Sequence, residues 1–265
     1  GIDLEVIAVN DGSTDLTAAI LDAYARKDER VSVITMPGHG PGAARNAALD
    51  RARGEYLLFL DGDDMLLPGA ISALMEMMTE DVQIVAGGFI RSHLLPDASR
   101  LNATNNSRSV SGHEALVMMC YQRQFRASTC GLLYRRSAIG NLRFTEGIYY
   151  EDMEFLTRLL PTISKMALTR RDVMFYRINP GSITSVWSTR RLDVLDVTAA
   201  LEARAEADGD DELLAAARER AFSANFNMFL LCRREGLTAQ AAKCWAQIER
   251  LRGYSLHNSR VRIKN

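Results

Sequence analysis

Three carboxylates end the segment Glu55-Tyr-Leu-Leu-Phe-Leu-Asp61-Gly-Asp63-Asp64, and no other part of the sequence is better placed to do chemistry. Two unit charges about 4 Å apart repel by about 4 kcal/mol near a protein surface, so such a turn is either well solvated or neutralised by a positive group. Carboxylates on a short loop suit Mg²⁺ or Mn²⁺, which keep positions open for water and substrate phosphates. The plainer interpretation is a turn followed by a helix cap before Pro68.

Strand-like apolar runs alternate with helical stretches in the N-terminal part of the chain. The runs are Glu5–Val9, Val31–Ile34, Tyr56–Leu60 and Val82–Val85. A helix is predicted after the first run, with one apolar face formed by Leu16, Ile20, Ala23 and Tyr24. Residues 42–53 predict a second helix, which ends at Gly54. Apolar strands separated by crossover helices predict an α/β fold with a parallel sheet that is covered on both faces.

Two polar clusters directly follow these predicted strands. Residues 10–15 follow the first run, and residues 61–64 follow the third. Parallel sheets of this kind bind their ligands at the carboxyl ends of the strands. The sequence therefore places both clusters at one edge of the sheet, which is the predicted binding edge.

Four polar motifs come in a fixed order along the chain. They are Val9-Asn-Asp-Gly-Ser-Thr-Asp15, Gly42-Ala-Ala-Arg-Asn46, Arg53-Gly-Glu-Tyr-Leu-Leu-Phe-Leu-Asp-Gly-Asp-Asp64 and Tyr150-Glu-Asp-Met-Glu-Phe155. Together they resemble the family 2 glycosyltransferases of the GT-A fold, above all the bacterial capsule, exopolysaccharide and cell-wall enzymes. The resemblance covers residues 1 to about 185. It implies a metal-dependent, inverting transfer of a sugar from a nucleotide-diphosphate donor to a glycan or lipid-linked acceptor in polysaccharide synthesis.

The same resemblance implies a Rossmann-like, mostly parallel sheet with flanking helices and a division of the chain into three parts. Residues 1–95 would bind the nucleotide sugar, residues 96–188 would form the acceptor-binding half of the same domain, and residues 189–265 predict a helical C-terminal extension. The first two parts meet at residues 96–109, which are rich in Asn, Ser and Arg and predict a loop.

Residue roles follow from the matched motifs. The resemblance implies that Asp11 accepts the ring N–H of uracil, a charge-assisted hydrogen bond that favours a UDP-sugar donor, with Ser13 in the same binding motif. It implies a nucleotide contact for Arg45, whose planar guanidinium suits a phosphate or a base edge. Asp61 would contact the ribose and share the metal, Mn²⁺ or Mg²⁺, with Asp63. An Asx turn at Asp11 and a solvated helix position for Arg45 are the alternatives.

The Glu151-Asp152 pair lies where the family keeps its catalytic base. An inverting transfer needs one carboxylate, which takes the proton of the acceptor hydroxyl as its oxygen attacks the anomeric carbon. The base is assigned to Asp152, with Glu151 as the second choice. Both carboxylates would also favour the N-terminus of a helix at residues 150–160, so a structural role and a catalytic role are compatible.

Composition limits the classes of partner. The 32 basic and 33 acidic residues give a net charge of −1, which argues against a nucleic-acid partner. The four cysteines lack metal-binding spacing and no signal peptide is recognisable, so a cytoplasmic protein with reduced thiols is predicted. The apolar runs are too short to span a membrane. Basic residues near the C-terminus are compatible with peripheral contact at the inner face of the membrane.

The sequence begins directly before the family's second strand, so the family's first strand and helix are expected to be missing. Residues 5–9 and 56–60 would then lack a neighbour, and their exposed edges predict self-association. Two other functions stay open at this point. One is an inactive module that binds a nucleotide sugar. The other is a nucleotidyltransferase on a related sheet, although no glycine-rich loop for a triphosphate precedes the acidic turn.

Overall fold

The computed structural model describes residues 3–95, 106–123, 125–179 and 186–257. The strands are β1 (Val6–Asp11), β2 (Val31–Met36), β3 (Tyr56–Leu58), β4 (Met65–Leu66), β5 (Ile84–Ser92), β6 (Ser107–Val110), β7 (Leu132–Arg135) and β8 (Met166–Arg177). The helices are α1 (Thr17–Lys27), α2 (Pro41–Arg51), α3 (Ala70–Met75), α4 (Gly112–Cys120), α5 (Arg136–Ile139), α6 (Glu151–Leu159), α7 (Asp193–Ala207), α8 (Asp211–Arg234) and α9 (Thr238–His257). Short 3-10 helices also lie at Leu160–Thr162 and Thr189–Leu192.

The α/β class and the C-terminal helices are confirmed, but the strands form mixed rather than mostly parallel sheets. β1 and β2 are parallel, and a second sheet has the order β3-β7-β5-β8-β4 with β6 also on β8. In the described part of the chain, four of the six strand pairings are antiparallel. β6 uses the end of the predicted loop 96–109, of which residues 96–105 lie outside the described residues. An apolar run predicts a buried strand but not its direction, because direction depends on a partner that is distant in sequence.

The sheet is interrupted between β1 and β3. Among the described strands, β1 pairs with β2 and β3 pairs with β7, so each keeps one open edge. α1 forms as predicted, yet Leu16, Ile20 and Tyr24 on its apolar face are 74%, 52% and 62% exposed. The expected exposed edges and this uncovered helix face therefore lie in the same part of the molecule.

An aromatic column joins the strand before the acidic turn to the helix that carries the predicted base. Phe59 contacts Phe144 edge to face with ring centroids 5.4 Å apart. Phe144 stacks on Phe155 of α6 at 4.0 Å, and Phe59 also contacts Tyr134 of β7 at 5.6 Å. Such aromatic pairs add to the free energy gained by burial. They make the end of β3, the loop before α6 and α6 itself one packed unit.

The C-terminal helices attach to this unit through polar contacts. Asp210 caps α8 by accepting from the N–H of Leu213 at 2.9 Å, and its other oxygen lies 2.8 Å from Nε2 of His113 at the start of α4. Asp193 of α7 accepts from the N–H of Tyr149 at 2.8 Å, directly before α6. Among the described helices, none is long and apolar enough to cross a membrane.

Asn46 fastens α2 to the loop before α6. Its amide donates to the carbonyl of Phe144 at 3.0 Å and to Oε1 of Glu146 at 2.9 Å, and its Oδ1 accepts from the N–H of Phe144 at 2.8 Å. Gly42, one turn earlier, allows close approach, because a Cβ there would lie 2.9 Å from the carbonyl oxygen of Thr145. These contacts fix the position of α2 against the rest of the site.

Replacing Asn46 by alanine should lower the free energy of unfolding by about 2 kcal/mol or more, because it leaves the buried N–H and carbonyl of Phe144 without partners. Thermal melting measures this, at about 2–4 °C per kcal/mol for a chain of this size. The control is Asn141→Ala, at an exposed position. Equal melting temperatures for the two variants would show that the Asn46 contacts do not hold α2.

Candidate functional site

The acidic turn after β3 separates its three carboxylates into different environments. The N–H of Asp64 donates to the carbonyl of Asp61 at 3.0 Å and closes the turn. The Asp64 side chain is buried and accepts from the N–H of Arg177 at the end of β8 at 3.0 Å. Burial raises the pKa of Asp64 to about 6, against the lowering effect of that hydrogen bond. Asp63 is exposed, and Asp61 is directed to an arginine.

That arginine is Arg45, in the middle of α2. Its Nη2 donates to Oδ1 of Asp61 at 2.8 Å, and its Nη1 donates to Oε1 of Glu151 at 2.6 Å and lies 2.9 Å from Oδ1 of Asp152. The guanidinium carbon lies 5.4 Å from the ring centroid of Phe144, and the side chain is only 10% exposed. Although burial acts in the opposite direction, the carboxylates of Asp152, Asp61 and Glu151 raise the pKa of Arg45 above its usual range. One buried cation therefore links the acidic turn to the predicted base.

Glu151 and Asp152 begin α6, as the sequence predicts. Tyr150 precedes them in the left-handed region at φ 64°, which turns the chain sharply into the helix. Negative side chains are favourable at this end of a helix because of its dipole. Both carboxylates then face Arg45.

The Asp152 carboxylate is held by Thr129 as well. The Thr129 hydroxyl donates to Oδ1 of Asp152 at 2.8 Å, and the Thr129 N–H donates to Oδ2 at 3.2 Å. Thr129 itself is fully buried. Burial raises the pKa of Asp152 to about 6, while Arg45 and the Thr129 hydroxyl act to lower it. At neutral pH the carboxylate is therefore mostly ionised, and it is a stronger base than an exposed aspartate.

Asp11 is the last residue of β1 and lies at the start of α2, and Ser13 follows it in the next loop. Oδ1 of Asp11 accepts from the N–H of His39 at 2.9 Å, and Oδ2 accepts from the N–H of Gly40 at 2.6 Å, so Asp11 fixes the start of α2. A carboxylate has further lone pairs, so these bonds leave room for a ligand N–H. Asn10 accepts from the N–H of Ser13 at 3.0 Å and forms the Asx turn, while Ser13 is exposed.

The structure thus brings together four of the predicted residues: Asp61, Arg45, Glu151 and Asp152. Asp11 is tied to the same helix at its first turn, whereas Ser13 and Asp63 make no contact with these four in the described structure. Sequence reasoning missed Thr129, which lies outside the four motifs and 23 residues from Asp152. Asn46 lies in the second motif, but nothing in the neighbouring sequence indicates its buried contact with Phe144, which is 98 residues away.

The acidic turn has a donor set that fits a divalent cation only in part. Within the described ranges, no three His, Cys, Asp or Glu side chains are grouped to hold a metal ion. Arg45 takes Oδ1 of Asp61, and Asp63 is exposed beside it. Two carboxylates with open positions match a Mg²⁺ or Mn²⁺ ion that is completed by water and by substrate phosphates. The residues present therefore fit a metal that arrives with a diphosphate.

Comparison with known proteins assigns the family. The sequence profile of Glycosyl transferase family 2 matches residues 1–143. The uncharacterized glycosyltransferase EpsJ of Bacillus subtilis (strain 168) is 30% identical over 200 residues, covering 69% of this chain and 55% of EpsJ. The GalNAc(5)-diNAcBac-PP-undecaprenol beta-1,3-glucosyltransferase of Campylobacter jejuni is 30% identical over 152 residues, covering 56% of this chain and 47% of that enzyme. The chain thus spans about half the length of these curated relatives.

A solved structure matches the fold over most of the chain. The crystal structure of S. aureus TarS 1-349 in complex with UDP-GlcNAc has a TM-score of 0.73 at 20% identity, covering 93% of this chain and 72% of TarS 1-349. The mixed sheet and flanking helices of this chain match the GT-A fold of TarS, which is the architecture that the motifs implied. Since the family profile spans more than half of the sequence and the fold agrees with it, this chain belongs to glycosyl transferase family 2.

Proposed function

We propose that this glycosyltransferase moves a sugar from a UDP-linked donor to a hydroxyl of a glycan or lipid-linked acceptor, with inversion, in bacterial polysaccharide synthesis. The observation that carries the proposal is the contact of Arg45 with both Asp61 and Asp152. It brings the acidic turn close to the proposed base, in a chain that belongs to family 2. Two relatives support the two substrate classes: TarS was solved with UDP-GlcNAc, and the Campylobacter enzyme is named for transfer to an undecaprenol-linked glycan.

Asp152 is the proposed base. In the transfer, the acceptor O–H gives its proton to Asp152 while its oxygen forms the new bond to the anomeric carbon. The bond from that carbon to the diphosphate oxygen breaks, and the nucleoside diphosphate leaves with the bonding electrons. A single displacement of this kind inverts the anomeric centre. A carboxylate with a pKa of about 6 suits this role near neutral pH.

Asp11, Ser13 and Asp61 are the proposed donor contacts, and Asp61 and Asp63 would hold the metal. When bound, the metal supplies Lewis-acid stabilisation of the charge on the departing diphosphate. In the structure the Arg45 guanidinium is engaged by three carboxylates. To make its predicted contact with the nucleotide, Arg45 must therefore release at least one of these carboxylates.

The proposed location of the enzyme is the cytoplasm. All four cysteines are free and buried, which supports a reducing compartment such as the cytoplasm. The nucleotide-binding part is residues 1–95, the acceptor part is residues 96–188, and the helices follow from residue 189. Family membership favours sugar transfer over nucleotidyl transfer. An inactive binding module would bind the nucleotide sugar without transferring the sugar, which distinguishes it from the proposed enzyme.

Asp63→Asn should abolish the Mn²⁺-dependent part of UDP affinity and leave the fold intact, because it removes one ligand charge at an exposed turn. Calorimetry of UDP with and without Mn²⁺ measures this, and GDP serves as the comparison for base preference. Asp81→Asn, also exposed and acidic but outside the site, is the matched control. A mutant that kept the full metal-dependent affinity would remove Asp63 from the ligand set.

Asp152→Asn should reduce sugar transfer by roughly 10²–10⁴-fold, the usual share of general base catalysis, with donor affinity nearly unchanged. Product formation from candidate UDP-sugars and acceptor glycans measures this by mass spectrometry. Glu151→Gln is the comparison, since both side chains contact Arg45. Greater damage from Glu151→Gln would move the base to Glu151.

Thr129→Val should raise the pKa of Asp152 above about 6, because it removes the hydroxyl that stabilises the ionised carboxylate. The acid limb of the activity profile should then move to higher pH. Carbon-13 NMR of the Asp152 carboxyl, assigned by difference from Asp152→Asn, reports the pKa without any substrate. Thr129→Ser keeps the hydroxyl and should behave as wild type. An unchanged Asp152 pKa in the valine variant would exclude this positioning role.

A further inference from the structure

Two arginines lie over two aromatic rings near the ends of β5 and β8. The guanidinium carbon of Arg126 is 5.1 Å from the ring centroid of Phe89. The guanidinium carbon of Arg91 is 5.5 Å from the ring centroid of Tyr176, and the two rings form a tilted pair with centroids 6.4 Å apart. Phe89 and Arg91 belong to β5, Tyr176 belongs to β8, and Arg126 lies in the loop before β7. We call these four residues the arginine–aromatic cluster.

Neither arginine of the cluster is neutralised within the part of the chain that the structure describes. Arg91 and Arg126 are exposed, and there they form no ion pair and donate no side-chain hydrogen bond. Arg135 makes a similar contact with the ring of Tyr56, but it is also paired with Glu55 at 2.9 Å. A ring face attracts a guanidinium without cancelling its charge, so both arginines of the cluster keep their affinity for an anion.

The three chain segments that meet at the cluster have only basic residues among their charged side chains. The segments are residues 86–95, 121–131 and 173–179, and their arginines are Arg91, Arg123, Arg126 and Arg177, with no Asp or Glu. The backbone joins the segments, since the N–H of Gly87 donates to the carbonyl of Gly131 at 3.2 Å and Phe89 is paired with Met174 of β8. The fold therefore gathers positive charge from distant parts of the sequence at one place.

The cluster lies between the acidic turn and the residue that holds the proposed base. Arg126 precedes Thr129 by three residues, and the Thr129 hydroxyl donates to Asp152 at 2.8 Å. On the other side, Arg177 directly follows the cluster on β8, and its N–H donates to Asp64 of the acidic turn at 3.0 Å. A substrate that reaches Asp152 from this side therefore passes the two arginines.

Carboxylates also border the cluster, and the described contacts direct two of them elsewhere. Asp64 is buried and accepts from a backbone N–H, and Asp152 is bound by Thr129 and Arg45. Asp172 lies opposite Gly88, four residues before Tyr176 on β8. The charge that the cluster itself offers to a ligand is that of its two arginines.

We propose that the arginine–aromatic cluster binds a negatively charged group, a phosphate or a carboxylate, on the sugar acceptor. The inference rests on the proposed function, because it takes Asp152 as the base beside which the acceptor lies. A guanidinium binds either group through paired N–H donors. The reacting hydroxyl faces Asp152 while the anionic group lies on Arg91 and Arg126. A neutral acceptor lacks this contact, so the cluster selects anionic acceptors.

Binding of matched monosaccharides tests the proposal without turnover. The probes are glucose 6-phosphate, glucuronate and glucose, titrated by NMR onto the wild-type chain saturated with UDP and Mg²⁺, so that the donor site is occupied. At least one charged probe should bind tenfold more tightly than glucose and shift the Nε–H signals of Arg91 and Arg126. The tighter of the two charged probes shows whether the anionic group is a phosphate or a carboxylate. Equal affinity for glucose would overturn the proposal.

The double variant Arg91→Gln, Arg126→Gln should bind the charged probe at least tenfold more weakly and keep the UDP affinity of the wild type. The matched control, Arg26→Gln with Arg51→Gln, removes the same charge from exposed positions in the last turns of α1 and α2 and should bind both ligands as wild type does.

Two further outcomes would overturn the proposal. A tenfold loss of UDP affinity in the Arg91 and Arg126 variant would place the cluster on the donor. Equal loss of probe binding in the control variant would show an effect of overall charge. A wild-type chain without UDP affinity would instead contradict the proposed function, and this inference with it.

Discussion

The contact of Arg45 with three carboxylates is the interaction on which the rest of the site depends. Unneutralised, pairs of charges at such spacing would repel by about 4 kcal/mol each near a protein surface. Arg45 offers a planar guanidinium with several donors, so one side chain serves Asp61 on one side and Glu151 with Asp152 on the other. A lysine in its place would have a single charged atom and could not span both. Arg45 of α2 therefore offsets the repulsion that would otherwise oppose the approach of the acidic turn to the first residues of α6.

The packing around Arg45 explains why it stays in place. Asp11 fixes the first turn of α2, Asn46 fastens the same helix to the loop before α6, and Phe144 lies against the guanidinium. Each of these contacts comes from a different part of the chain. They hold α2, the loop before α6 and the Glu151-Asp152 pair in one packed unit around the guanidinium.

The sequence predicts those parts of the site that are contiguous. The acidic turn, the Glu151-Asp152 pair and the helix they begin were all found as local motifs, and the α/β class followed from the alternation of apolar runs and helical stretches. The partners of Arg45 were not predictable, since Glu151 lies 106 residues away and the pairing exists only in the folded chain. Thr129 belongs to none of the four sequence motifs. The antiparallel pairing of β3 and β5 with β7 was missed for the same reason. Among the described residues α1 formed without a cover for its apolar face, because helix periodicity does not predict what lies opposite.

The C-terminal helices connect the site to the surface of the molecule. Asp193 of α7 accepts from the N–H of Tyr149, and Arg190 donates to the carbonyl of Gly147 at 2.5 Å while its guanidinium lies over the Tyr149 ring at 4.6 Å. These contacts hold the loop that leads into α6. Since α7 also packs against α8, the position of α8 is coupled through α7 to the loop that places Glu151 and Asp152 against Arg45.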